Sequence, residues 1–324
     1  MRDAGSFCVG GRVSPALLVV FTPGLLSDNP GGSVAGASVH RTAWGCGCAA
    51  PGRAFETMAS TPFQRALCRL IAAQRAQSGE SDVAGGVALN TVTRAARISR
   101  DIDLFHDRDE AVIRSWESDS NLLRANGYEA RLLREQIRFV EALVEHDGNS
   151  VLLQRTADRA FRFVSLVEDA DFGLVLHPFD LATNKVLAVV GRLEVRDWVD
   201  VITCHERIQP LGYLMWATCG KDPGFTPQAI WEPAARSARY SAVEVSPLVF
   251  DGPPPDAAQL SKRWRIILVQ ARRLMERLPV EHVGQCVLRP DGELFRGDET
   301  EWKNATLAFP PGSQRGAFPK VKQA

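Results

Sequence analysis

The sequence predicts an α+β protein, a mixed α/β portion followed by a mainly helical C-terminal region. Between residues 99 and 176, short runs rich in β-branched and aromatic residues are punctuated by turn residues, as in strands. Among them, Asp147-Gly148-Asn149 separates two strand-like runs as a hairpin turn would. Beyond Asp180 the apolar residues recur with helical spacing almost to the end, and Pro253-Pro254-Pro255 separates two helical groups.

Taken in order, the elements begin with a helix over 62–78, with Thr61 as N-cap, Pro62 at the first helical position and Gly79 as its stop. A second helix over 87–96 is entered through Gly85-Gly86. An acidic strand follows over 99–105. Ile98, Ile102 and Leu104 suit its core side, and Ser99, Asp101 and Asp103 share the other face. A helix over 109–125 ends at Asn126-Gly127. The hairpin spans 137–156, a strand covers 161–167, and a short apolar segment covers 173–176. Asp180 can cap a helix from Leu181, and a long helix occupies 257–278.

With 324 residues, 45% hydrophobic and 23% charged, the chain has ordinary globular composition, enough for one large domain or two. A net charge of zero gives no global pull toward nucleic acid or membrane. No apolar run approaches the roughly 18 residues of a membrane helix. The seven cysteines form no framework and, with no histidines at ligand spacing, no zinc site; reduced thiols in a cytoplasmic protein are expected. Residues 1–57 are rich in Gly, Ala, Ser and Pro. Their ALLVVFTPGLL run imitates a signal peptide, but Pro23-Gly24 interrupts it. They are expected to be a disordered extension, or to lie upstream of a true start at Met58.

The chemistry concentrates in GGVALNTVTRAARISRDIDLF, residues 85–105. Asp101 and Asp103, about 7 Å apart on one strand face, repel each other unless a cation sits between them. Gly85 and Gly86 allow close approach to phosphates, and the helix after them offers free N–H groups. Together they suit a pair of Mg²⁺ or Mn²⁺ ions clamping a nucleoside triphosphate for in-line displacement. The alternative is an ordinary solvated strand edge.

This stretch resembles the signature of the AbiEii/AbiGii-type toxin family, minimal nucleotidyltransferases of the DNA polymerase β-like superfamily. The pattern is Gly-Gly, then Arg-x-Ser before Asp-x-Asp, carried here by Gly85, Gly86, Arg97, Ser99, Asp101 and Asp103. A second family motif is similar to LATNKVLAVVGRLEVRDWVDV, residues 181–201, with Lys185, Arg192, Arg196, Asp197 and Asp200. The chain departs from the family at Val87, where a Ser or Thr hydroxyl commonly contacts phosphate. The resemblance implies a polymerase β-like core with a mixed sheet over 58–178. A helical region over 179–290 then contributes Lys185 and Asp197, and 291–324 is a tail. It also implies transfer of a nucleotide to an RNA end such as tRNA, by a toxin with a separate antitoxin.

On this reading Lys185 is a point charge for the triphosphate, and its truncation would weaken binding with little cost in stability. Asp197 completes the acidic cluster, with Asp200 secondary and Glu168, Asp169 and Asp171 as rivals; Asp197 paired with Arg192 or Arg196 is the structural alternative. Asp171-Phe172-Gly173 and Gly220-Lys221-Asp222 lack the companions that kinase or P-loop motifs require. Six basic residues on the 257–278 helix, Lys262, Arg263, Arg265, Arg272, Arg273 and Arg277, could face RNA phosphates or simply be solvated. A small-molecule or protein hydroxyl as acceptor, or a catalytically silent nucleotide-binding relative, are the other function classes.

Overall fold

The computed structural model describes residues 59–78, 81–158, 161–236, 240–314 and 316. The expectations for residues 1–57, for Met58 and for Gly79 lie outside them. Among the described residues, α-helices and strands alternate in the first half and give way to helices in the second, so the protein is α+β with a mixed sheet.

The first helix, α1 (Pro62–Ser78), opens with a reciprocal cap: Gln64 N donates to Thr61 Oγ1 and Thr61 N to Gln64 Oε1. Strand β1 (Ser81–Ala84) runs directly into α2 (Gly85–Thr93), and β2 (Arg97–Ile98) leads to β3 (Asp101–His106). Helix α2 begins two residues earlier than its apolar run suggests and stops at Arg94, which adopts a left-handed conformation. Ile102 and Leu104 are fully buried, each worth about 1.5–3 kcal/mol of apolar burial, while Asp101, Asp103 and Phe105 occupy the other face. Ser99 lies just before β3 rather than in it.

Helix α3 (Asp109–Ala125) is followed by β4 (Glu129–Gln136), β5 (Phe139–His146) and β6 (Asn149–Ala157), the latter two joined at Asp147-Gly148 with both φ angles positive. The expected strand over 161–167 is divided into β7 (Phe161–Arg162) and β8 (Val167–Asp169). Between them, Phe163 N and Val164 N donate to the Asp180 carboxylate at 3.0 and 2.9 Å, taking the amides a continuous ladder would need. Strand β9 (Gly173–Val175) completes a seven-stranded sheet of order β4-β5-β6-β3-β1-β9-β8. The β6/β3 and β1/β9 pairs are parallel and the others antiparallel.

Helix α4 (Pro178–Arg192) starts at Pro178, capped by the His177 ring, instead of at Leu181 behind Asp180. Proline at the first position is preorganised for a helix start. Asp180, freed from capping, instead binds the two amides above and Lys221 Nζ at 2.8 Å. Helices α5 (Val195–Arg207), α6 (Leu211–Thr218), α7 (Pro227–Arg236) and α8 (Ala242–Val245) follow. Strand β10 (Val249–Phe250) then pairs with β2, ahead of α9 (Ala257–Met275). Helices α6 and α9 pack closely because Gly212 leaves no room for a side chain: a Cβ there would lie 2.8 Å from Ala271 O.

Much of the segment expected as a tail is folded. Phe295 joins Tyr213, Trp216, Leu274, Leu278 and Val287 in a buried cluster, with Trp302, Leu307 and Phe309 against it. Buried Gln209 anchors the cluster by donating to Val287 O and Phe295 O at 2.9 and 2.8 Å. Short α10 (Glu299–Trp302) follows, and β11 (Ser313–Gln314) pairs with β7. No helix among the described residues is long and apolar enough to cross a membrane.

Candidate active site

Strand β1, the turn into α2 and β3 bring the first motif together. Ala84 pairs with Asp103 across the antiparallel β1/β3 ladder, so Gly85 falls directly against the Asp103 side chain. A Cβ on Gly85 would lie 1.7 Å from Asp103 Oδ2, and its φ of +63° is itself one that side chains disfavour. A Cβ on Gly86 would lie 2.6 Å from Ser99 Oγ and 2.8 Å from Arg97 Nη2. Both glycines are therefore demanded by close approach. Helix α2 has neither a side-chain cap nor an acidic residue in its first turn, leaving its N-terminal amides and partial positive charge beside the aspartates.

The two aspartates have different surroundings. Asp101 accepts from Ser99 Oγ at 2.6 Å and lies 3.3 Å from Arg196 Nη1. Burial alone would raise its pKa, but the Ser99 hydrogen bond, with Arg196, Lys185 and Arg97, holds it below the ordinary carboxylate range. Asp103 is pushed up to about 6, first by burial and then by the Asp101 charge, against which Lys185, Arg196 and Arg192 act only in part. A divalent cation fits this pair: one carboxylate is ionised, the other is kept from ionising easily by its like-charged neighbour, and both face the helix terminus. Among the described residues no group of three or more metal-ligating side chains assembles, so the remaining ligands would come from triphosphate and water.

Helices α4 and α5 bring in the second motif, joined through a network of ion pairs. Lys185 lies two turns into α4, with only 9% of its side chain exposed. Its Nζ is 3.0 Å from Asp197 Oδ1 and 3.1 Å from Asp200 Oδ2. Arg192 grips Asp197 with two hydrogen bonds of 2.6 and 2.8 Å. Arg97, from β2, grips Asp200 with two more at 2.6 and 2.7 Å. The spacing of three between Asp197 and Asp200 does put both on one side of α5, as expected. Burial opposes the charge on Lys185, but Asp197 and Asp200 raise its pKa overall. Burial likewise works to raise Asp197, yet Lys185 and Arg192 drive it far below the usual range. Asp197 is thus held by two cations, Lys185 and Arg192.

The rival acids lie elsewhere. Register across β3, β1, β9 and β8 sets Asp169 level with His106, at the opposite end of β3 from Asp101. Asp171 pairs with Arg69 at 2.6 Å. Val87 is fully buried, and the hydroxyl missing there has a neighbour in Ser99 against Gly86. The sequence offered Arg196 as a motif residue and as an ion partner of Asp197; its partnership with Asp101, across 95 residues of chain, leaves no local signal. On α9, Arg263 pairs with Glu206, Arg272 with Glu276 and Arg273 with Glu299, so much of that helix's basic excess is neutralised. A cavity of about 560 Å³ lined by Arg289, Phe295, Arg296 and Glu301 contains none of the motif residues.

Fold and site together set a glycine-opened helix N-terminus against a strand bearing paired aspartates. The protein's structural neighbours include MenT4, a nucleotidyltransferase toxin of Mycobacterium tuberculosis H37Rv, at TM-score 0.47 and 16% identity, covering 68% of this chain and 85% of that one. JHP933 from Helicobacter pylori aligns at TM-score 0.41 and 13% identity over 66% of this chain and 93% of its own. The Megavirus polyadenylate synthase aligns at TM-score 0.33 and 11% identity over 45% of this chain and 32% of its own. No family model and no curated protein matches the sequence.

Proposed function

We propose that the protein is a metal-dependent nucleotidyltransferase that moves a nucleoside monophosphate from a triphosphate to an acceptor hydroxyl. The observation that carries this reading is the close approach of Gly85 to the Asp103 carboxylate, with Ser99 and Arg97 packed against Gly86. A phosphate on the α2 amides would there be held against the acidic pair. Divalent metal held by Asp101 and Asp103 would neutralise the phosphate charge and align the reacting groups. Gly85 and Gly86 admit the triphosphate to the backbone amides. Ser99 fixes one Asp101 oxygen, so the carboxylate is preoriented. Lys185, Arg97 and Arg192 lock Asp197 and Asp200 and thereby hold α4 and α5 against β2. In the transfer, the acceptor hydroxyl would give up its proton to solvent and its oxygen would bond to the α-phosphorus as the bond to the bridging oxygen breaks and pyrophosphate leaves.

An RNA end such as tRNA is the acceptor this reading favours, with action as a toxin held in check by a separate antitoxin chain. Its support is the family-like order of both motifs, together with exposed Lys262 and Arg265 on α9 and Arg277 just beyond its end. A small-molecule or protein hydroxyl would be served by the same site. Incubation with each α-labelled NTP, Mg²⁺ and total RNA, followed by separation of RNA, protein and small molecules, tests the acceptor. Label in the RNA fraction is expected; label in another fraction would move the acceptor there, and label in none would remove the activity.

A further inference from the structure

Arg196 stands apart from the other cations of the site. Lys185, Arg97 and Arg192 are each committed to Asp197 or Asp200, with side chains 9%, 5% and 28% exposed. Arg196, in the first turn of α5, keeps 34% of its side chain exposed and reaches one of the acidic pair instead, with Nη1 3.3 Å from Asp101 Oδ2. Its Nε lies 2.6 Å from Glu194 Oε2, an ion pair outside hydrogen-bond geometry that tethers one side of the guanidinium while Nη1 rests on Asp101. Ser99 already occupies the other Asp101 oxygen. The Arg196 guanidinium therefore sits at the oxygen through which Asp101 would meet a metal ion.

We propose that Arg196 is a placeholder cation: it neutralises Asp101 in the nucleotide-free protein, yields that oxygen when metal and nucleotide enter, and closes on the triphosphate. This rests on the nucleotidyltransferase reading of the same site. A guanidinium at Oδ2 and a dication at the same oxygen repel each other, so the two occupy Asp101 in turn. Released from Asp101, the fork retains its Glu194 tether and its charge. A planar fork with several donors matches phosphate oxygens that lie beside the same carboxylates. Lys185 cannot make that exchange without giving up its contacts to two buried carboxylates at once. Arg196 can, because it is half-exposed and its partner gains the metal.

The consequence is an opposite response of metal and nucleotide to one substitution. Mn²⁺ binding, followed by the loss of free-Mn²⁺ electron paramagnetic resonance signal, is measured on the full chain with and without a triphosphate analogue carrying a methylene bridge between the α and β phosphorus. Arg196→Ala should bind Mn²⁺ alone about tenfold more tightly and the Mn²⁺–analogue complex about tenfold more weakly. Arg196→Gln, which keeps length and hydrogen bonding but not charge, should shift both in the same directions, and Arg196→Lys should lie between. Unchanged or weaker binding of Mn²⁺ alone in Arg196→Ala and Arg196→Gln would overturn the placeholder role. Failure of the wild-type protein to bind Mn²⁺ with or without the analogue would instead take away the nucleotidyltransferase reading, and the proposal with it.

Discussion

Ser99 and Gly85 carry more of the site than their size suggests, and both yield clear outcomes. Ser99 Oγ donates to Asp101 Oδ1 at 2.6 Å, a charge-assisted bond that preorients the carboxylate proposed to hold metal. Ser99→Ala should keep part of the transfer activity, since Arg196 and the strand still position Asp101. Ser99→Asp replaces the donor with a third carboxylate against Gly86 and should lose nearly all activity. A folded Ser99→Asp protein with undiminished transfer would displace Ser99 from the phosphates. Gly85→Ala would force its methyl group into the Asp103 carboxylate and add about 1–2 kcal/mol of left-handed strain. Calorimetric titration should show Mn²⁺ affinity falling along with transfer; metal binding like that of wild type would contradict the contact. The glycine pair, Ser99 and the aspartates were legible because close approach and like-charge proximity leave a mark on adjacent residues. The pairing of Arg196 with Asp101 was not, because the two lie 95 positions apart.

At the scale of elements, α4 and α5 are joined to β2 by a buried charge cluster of Lys185, Arg97 and Arg192 with Asp197 and Asp200. A lysine turned toward phosphate would cost little stability when truncated. Lys185 is instead enclosed between two carboxylates, so Lys185→Ala should destabilise the protein by about 3–5 kcal/mol, the cost of breaking a buried ion pair. The lower end is expected because Arg192 and Arg97 still hold the two acids. Urea unfolding measures this, and an unchanged midpoint would return Lys185 to a phosphate-facing surface role. Helix periodicity and turn chemistry disclosed α1, α3 and the β5/β6 hairpin. Strand β4 was missed because EARLLREQ, almost wholly exposed at a sheet edge, carries no apolar alternation. The split between β7 and β8 was missed because the Asp180 carboxylate takes the amides of Phe163 and Val164 across the fold.

For the molecule as a whole, the end of the sheet remote from Asp101 holds a second buried charge group, in which Arg162 contacts both Asp82 and Asp107. Burial pushes Asp82 up to about 7 from 3.8, with the neighbouring Arg162 opposing it only in part. Between those values the folded protein keeps a proton that the unfolded chain has released, so this group's contribution to stability falls as pH rises from about 4 to 7. Asp82→Asn should remove that slope, gaining melting temperature on the wild-type protein as pH rises through this window; a difference independent of pH would contradict the shift. Regions with few strong local signals, such as residues 291–314, proved folded because Phe295 and its neighbours fill a cluster supplied by α6 and α9. The central claim, nucleotide transfer at the Asp101–Asp103 pair, is tested most directly by supplying each NTP labelled in parallel at the α- or the γ-phosphate. Stable incorporation of the α label alone, with γ label released as pyrophosphate and both abolished in a folded Asp103→Ala protein, is the result expected. Incorporation of the γ label, or α transfer that survives Asp103→Ala, would contradict it.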